Sequence, residues 1–387
     1  MIRMVQNKTI LSLLFIIMFQ MFSYSQNINI SIFTNQNLQS ISFTVISGKY
    51  DVIADKKALF SLNENDTIRI KRLSDNVEIV RNKAIIGVFS FIQIRGTNTE
   101  NVFAIIPSFP KMKARVYDDD IYVKSNSGIL QIINDVSFEK YIAASIESEG
   151  GYIAPLEYYK VQAILCRTYA IKNFQKHIND GFNLCDKVHC QSYKGKSVKN
   201  PNIRKASELT KGLVIVDVNQ DIITATFFSN SGGQTLNSED NWTTKMPYLR
   251  SVKDSFSLGQ PNARWEKKIP KSEWVSYLSK KGYNNDSCED FRFNQFSRES
   301  TYTVGNCSIP LKKIRNDWTL KSTYFNIVPQ GDTLLLKGKG FGHGVGLSQE
   351  GAIRMAQLGY SYEKIIKFYY YNVQIKSTKS FRFFEVQ

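Results

Sequence analysis

The hydrophobic period of this chain changes part-way along, and that change constrains its fold more than any other feature. From Ile28 to about Lys113 apolar and polar residues alternate in short runs: Ile28, Ile30 and Ile32; Ile41, Phe43 and Val45; Ile68 and Ile70; Val77 and Ile79; Ile92 and Ile94. Turn-forming stretches such as Ser47-Gly48 and Asn63-Glu64-Asn65-Asp66 separate them. A period of two sends successive side chains to opposite faces of a strand, so each run buries one face and wets the other. Beyond Pro155 the period lengthens to three or four, and Leu156, Tyr159, Ala163, Cys166, Ala170 and Phe174 share one face of a helix. Pro155 stands at the start of that helix, where its missing N–H costs nothing. The expected fold class is therefore α+β: a small β-rich domain over 26–113, then a domain of mixed strands and a few helices over 114–387.

The later elements follow from local patterns. A strand pair is expected at Ala114–Val123 and Gly128–Asn134, and a hairpin at Leu213–Val216 and Ile222–Phe228 around Asn219-Gln220. Short helices are expected near Ser272–Lys280 and Leu311–Ile314. Five glycines lie between Gly338 and Gly346, and a helix capped by Ser348 and stopped by Gly359 comes next. A last helix, Tyr362–Tyr371, is apolar enough to be buried.

The N-terminus has the form of an export signal. Arg3 and Lys8 precede the apolar run Ile10 to Phe22, which ends in the small-residue exit Ser23-Tyr24-Ser25. The run is shorter than the roughly 20 residues of a membrane span, so residues 1–25 are read as a cleaved signal peptide and the mature chain as having no membrane span. The formal charge is +16, and loss of 1–25 removes two cations and no acid, leaving +14. Such a chain is drawn to polyanions. Export to the periplasm, cell wall or exterior argues against nucleic acid and leaves the wall and its anionic polymers as the partner.

Three constellations carry chemistry. Ser148-Glu149-Gly150-Gly151 reads as a loop that aims Glu149 at the entry of the helix after Pro155, on which Lys160 and Arg167 lie a heptad apart. Glu147 is the competing carboxylate, and its like charge would raise the pKa of Glu149. His343 is the second, set among glycines that let backbone crowd a ligand; the spacing matches no common phosphate loop. The third is His177, Cys185, His189 and Cys190. Two thiols and two imidazoles form a complete tetrahedral zinc set with no open position, hence a structural one, and a Cys185–Cys190 disulfide is the alternative. Cys166 is read as a packing residue, and Cys288 with Cys307 as a possible loop-closing pair.

These features in this order resemble the stage II sporulation protein D (SpoIID) family, to which the amidase enhancers are related. The resemblance rests on Phe138-Glu139-Lys140-Tyr141, Ser148-Glu149, Pro155-Leu156-Glu157, Lys160-Val161-Gln162-Ala163 and Cys166-Arg167-Thr168-Tyr169-Ala170. It continues through Phe228-Ser229-Asn230-Ser231-Gly232-Gly233-Gln234-Thr235, Trp242, Pro247-Tyr248-Leu249 and Gly342 to Ala352. The chain departs from the family at Gly150-Gly151, where Met-Pro is usual, and at Cys166, where Ala is usual.

The resemblance implies a peptidoglycan lytic transglycosylase that cuts between N-acetylmuramic acid and N-acetylglucosamine and leaves an anhydro-muramyl end. It assigns the acid/base role to Glu149 over Glu147, with no cofactor required for catalysis. Lys160, Arg167, Ser229, Ser231, His343, Ser348 and Gln349 are expected to bind substrate. The zinc set His177, Cys185, His189 and Cys190 occurs in some members. Two rivals remain: a non-catalytic wall-binding enhancer of an amidase or other wall hydrolase, and a zinc amidase or peptidase in which His343 replaces one cluster ligand.

Overall fold

The computed structural model describes residues 27–98, 100–151, 153–284 and 290–380. The expected signal peptide, residues 1–25, lies outside the described residues, as does Cys288. The chain is α+β, and its described residues form two compact units, one of residues up to 30 with 37–138, the other of 31–36 with those from 139 on.

The first unit is built from the period-two runs. One set of its strands lies in the order Asn27–Ile32, Ile129–Ser137, Asp120–Asn126, Phe91–Gly96, Tyr50–Ala54, Lys57–Leu62. The other sheet runs Arg115–Asp118, Val102–Phe109, Ser40–Ser47, Thr67–Leu73, Asn76–Arg81, Ala84–Phe89. Ile41, Phe43, Val45, Ile68, Ile70, Val77, Ile79, Ile92 and Ile94 are all fully buried, so every alternating run puts its apolar face inside. Antiparallel register sets Phe43 opposite Ile68 on one side and Ile105 on the other. Tyr50 of the first sheet meets the Phe43 ring edge-on at 5.4 Å, which joins the two sheets in one core. The expected boundary at 113/114 moves: strands Arg115–Asp118, Asp120–Asn126 and Ile129–Ser137 hydrogen-bond into these sheets, so the break falls after Phe138.

The second unit is organised around helices. Helix α1 spans Phe138–Gly150 and α2 spans Leu156–Lys172. The end of α1, expected to be a loop, is helical: Glu149 is on its last turn, and Gly151, at φ 74°, leaves the helix. Phe138 and every residue from Tyr141 to Ile146 are buried, so the middle of α1 is covered all round. Helix α2 is buried well beyond the expected face: Tyr158, Val161, Ile164, Leu165, Thr168 and Ile171 are buried together with Tyr159, Ala163, Cys166 and Ala170 of the face read from the sequence. Helix α3, Pro201–Leu209, packs on α2, and Asn200 caps it through the N–H of Asn202.

The expected hairpin is only half formed. Leu213–Val216 pairs antiparallel with Gln374–Ser377, and Ile222 meets Val216 through a single bridge. Phe227–Phe228 instead runs parallel to Leu347–Ser348. A three-stranded sheet of Arg264–Pro270, Thr333–Lys339 and Phe325–Gln330 carries a separate core with Trp265, Trp274 and Tyr302. Beside it lie α4 (Lys271–Ser279) and α5 (Leu311–Asp317). Ser348 caps α6, Gln349–Gln357, by accepting from the N–H of Gly351, and α7 spans Tyr362–Tyr369. No helix among the described residues is long and apolar enough to cross a membrane.

Candidate active site

The last turn of α1 carries three consecutive polar side chains that all accept hydrogen bonds from one segment. Glu147 Oε2 takes the N–H groups of Val198 (3.1 Å) and Lys199 (2.9 Å) and the hydroxyl of Ser197 (3.0 Å). Ser148 Oγ takes the N–H of Lys194 at 3.2 Å, and Glu149 Oε1 takes that of Ser192 at 2.6 Å. Residues 192–199 therefore form a strap laid across the helix end. Glu147 is committed to holding it. Glu149 spends one oxygen there, and Oε2 has no partner among the described residues.

Burial pushes the Glu149 carboxyl above its ordinary range, opposed by the Ser192 N–H and the ammonium of Lys194. Its place on the last turn acts in the same direction as burial, because the negative end of a helix dipole disfavours an anion. Beneath it, Gly150 packs on Tyr158 and Gln162; a methyl at Gly150 would lie 3.2 Å from Tyr158 Oη. These two α2 residues were missed in the sequence, where they look like ordinary helix surface.

The glycine-rich segment reaches this helix end from far along the chain. Gln349 Nε2 donates to the carbonyl of Glu149 at 3.0 Å across 200 residues, so those two predicted site residues meet. Gly340 (φ 75°) could not carry a side chain: its Cβ would sit 2.5 Å from the carbonyl of Asn230. His343 is not free to bind substrate through its nitrogens. Its Nδ1 accepts from Val345 N–H at 3.1 Å, which leaves Nε2 to donate to Phe227 O at 3.0 Å. Burial pulls its pKa down to about 4, so the ring is neutral, and it packs tilted against the rings of Phe228 (5.3 Å) and Trp242 (5.7 Å).

Several expected binding residues hold the fold instead. Ser231 and Ser348 are fully buried, and with Ser257 they form a hydroxyl network on the buried carboxylate of Asp254. Ser229 keeps some exposed surface, and its carbonyl accepts the N–H of Glu350 at 3.0 Å. Arg167 is 1% exposed and pairs with Glu139 through Nε (3.0 Å) and Nη2 (2.6 Å), while also donating to the carbonyls of Ser207 and Leu213. A guanidinium inside so buried a helix must find such partners, which is why it is a staple between α1, α2 and α3 and not a cleft residue. Lys160 pairs with Glu157 at 2.6 Å and lies 5.6 Å from the Tyr362 ring, at the start of α7.

The third constellation is a compact ligand set. The donor atoms of His177, Cys185, His189 and Cys190 all lie within 4.8 Å of one another, and both cysteines are thiols. The hydrogen bond from Cys190 is the main cause that pulls Cys185 down to about 5. His177 Nδ1 is held by Asp180 at 3.0 Å, and its Nε2 is buried with no hydrogen-bond partner, as suits a nitrogen aimed at a metal. His343 is not part of this set, so the reading in which it replaces a cluster ligand fails. Cys190 is followed directly by Gln191 and Ser192, which ties the cluster to the strap on Glu149.

Comparison with known proteins gives a consistent result. The family model described as Stage II sporulation protein matches residues 126–216. Stage II sporulation protein D of Bacillus amyloliquefaciens is 30% identical over 288 residues, covering 70% of this chain and 82% of that protein. The protein of the same name from Bacillus subtilis (strain 168) is 29% identical over 286 residues, with the same coverage. The Amidase enhancer of Bacillus subtilis (strain 168) is 29% identical over 272 residues, which span 56% of this chain and 37% of that protein.

Proposed function

The chain belongs to the stage II sporulation protein D family, and from that premise we propose that it is an exported lytic transglycosylase of peptidoglycan with Glu149 as its one acid/base. The observation that carries this reading is the asymmetry of the Glu149 carboxyl: Oε1 is tied to Ser192 N–H, Oε2 is unpaired, and burial favours the protonated form. General acid catalysis on a glycosidic oxygen needs a carboxyl held protonated toward neutral pH. Glu149 donates its proton to the bridging oxygen as the bond to N-acetylmuramic acid breaks. The carboxylate then takes the proton of that sugar's C6 hydroxyl, which closes the 1,6-anhydro ring. One carboxyl serves both steps, so the second carboxylate of ordinary glycosidases is not needed.

The cluster His177, Cys185, His189 and Cys190 is proposed to hold zinc. Four protein ligands leave no open position, so the metal would fix the chain path from Cys185 to Ser192 without supplying a nucleophile. The Gly338–Gly346 segment would shape the cleft through backbone and through the faces of His343 and Trp242.

The test is mass spectrometry of sacculi digested with wild type and with Glu149→Gln. Anhydro-muropeptides from wild type and none from the variant is the expected result. Equal release by both would overturn the role of Glu149. A second reading is favoured by the likeness to the Amidase enhancer and by the basic charge: a wall binder that stimulates an amidase and makes no new glycan ends. Absence of anhydro ends with wild type, together with faster digestion by an added amidase, would select it.

A further inference from the structure

Beside the His343–Trp242 shelf the second unit gathers positive charge without an anion to balance it. Arg298 donates through Nη2 to Ser231 O (2.6 Å) and through Nε to Gln234 O (2.6 Å), and its Nη1 comes to 3.1 Å from where a Cβ on Gly344 would lie. Its guanidinium is 4.8 Å from the Tyr324 ring centre. From α5, Lys312 Nζ donates to Asn241 O at 2.8 Å, directly before Trp242. Arg315, one turn further on the same helix, has its Nε buried with no hydrogen-bond partner.

Among the described residues none of these three cations has a carboxylate within ion-pair distance. The charges converge: Arg315, Arg298 and Lys312 all act to lower the pKa of His343, and Arg315 also acts on Arg298. Buried guanidiniums are ordinarily paired, because an uncompensated charge out of water is costly. An acceptor-only partner from outside would relieve the two guanidiniums, with the exposed Lys312 adding its charge beside them, and the planar fork of a guanidinium matches a carboxylate.

We propose that Arg315, Arg298 and Lys312 form an anion subsite next to the His343–Trp242 shelf, and that it binds a carboxylate carried on the glycan. The neighbouring shelf selects this chemistry over a free anion, because an aromatic face takes the apolar side of a sugar ring while the cations take its acid. The carboxylate has two sources, the lactyl group of the muramyl sugar or the end of a peptide attached to it. The identity of the ligand rests on the wall-glycan reading of the Glu149 cleft. The existence of the subsite does not.

The experiment uses the full chain carrying Glu149→Gln, so that no ligand is turned over. Four ligands are titrated by calorimetry: a muramyl tetrasaccharide with free lactyl acid, its lactyl methyl ester, a peptide-bearing muropeptide, and uncharged chitotetraose. Adding Arg315→Gln, or the exposed Lys312→Gln should the first variant fold poorly, weakens the recognised acid roughly ten- to a hundredfold and leaves chitotetraose unchanged. Loss confined to the free lactyl ligand or to the muropeptide names the source. Equal weakening of all four ligands, or of none, overturns the subsite. Acetate alone is titrated in parallel, read by the Trp242 indole N–H resonance. A shift present in the parent and lost in Arg315→Gln keeps the subsite even if no glycan binds, in which case the wall-glycan reading is what fails. No acetate response and no glycan binding overturns both.

Discussion

Helix α1 has a glutamate near each end, and the two are in opposite situations. Glu139 sits in the first turn, where the helix dipole favours an anion, and is gripped by the buried guanidinium of Arg167 at 2.6 Å. Glu149 sits in the last turn, where the dipole disfavours one, and meets only a backbone N–H. The first carboxylate is neutralised and its energy goes into joining α1, α2 and α3. The second is kept short of partners and its proton is held more tightly. One helix thus separates a carboxylate that holds the fold from one poised to exchange a proton.

The largest expected effect breaks the reactive end. Glu149→Gln keeps an acceptor for Ser192 N–H and removes the exchangeable proton, so anhydro-end formation should fall by about 10²–10⁴-fold. The folded state should be intact by circular dichroism. A loss of activity accompanied by unfolding would instead make Glu149 a structural residue like Glu139.

Breaking the other end should do the reverse. Arg167→Met leaves Glu139 buried without its cation, at a cost of about 3–5 kcal/mol in urea unfolding. The double variant Arg167→Met/Glu139→Gln should recover much of that, because removing both members of a buried pair is far less costly than removing one. Per folded molecule, turnover should stay near wild type. A selective loss of turnover with unchanged stability would return Arg167 to the cleft.

How far these two ends could be read in the sequence depended on how local their causes are. The strands of the first unit were legible because alternation at Ile41, Phe43 and Val45 is itself the signature of a half-buried strand. The Arg167 role was not, since nothing nearby announces that Leu213 O, Ser207 O and Glu139 will converge on it. A signal was available: Val161, Ile164, Leu165 and Ile171 lie off the predicted face, which marks α2 as buried beyond that face and its arginine as paired. The end of α1 was obscured by Gly150-Gly151, which reads as loop, although Tyr141, Ile142 and Ile146 already carry helical spacing. Leu213–Val216 is the expected strand, but its pairing was not legible, because its partner Gln374–Ser377 is distant in sequence and the adjacent Ile222 run is the natural local guess.

A third, smaller effect concerns what keeps the reactive end in place. Cys185→Ser/Cys190→Ser should abolish binding of zinc, measured by atomic absorption on purified protein, and lower Tm by several degrees. Ser192 lies two residues past Cys190, so amide exchange at Ser192 should speed up while exchange at Ile164 in α2 does not. Unchanged exchange at Ser192 would separate the cluster from the Glu149 strap.

The smallest effect distinguishes the two ends by pH. Burial raises the Glu149 pKa above its ordinary value of 4.5, so the folded state binds that proton more tightly than the unfolded chain does. Stability from such a group is complete below the unfolded pKa and is lost as pH rises through the folded one. Glutamine carries no such loss. Near pH 4, roughly where both forms of Glu149 are protonated, Glu149→Gln and wild type should therefore melt together. Near pH 7 the variant should melt at the higher temperature, because wild type then bears the cost of a desolvated carboxylate on a helix C-terminus. A gap that narrows or reverses with rising pH would mean that Ser192 and Lys194 stabilise the ionised form more than burial penalises it, and the acid role of Glu149 would lose its physical basis.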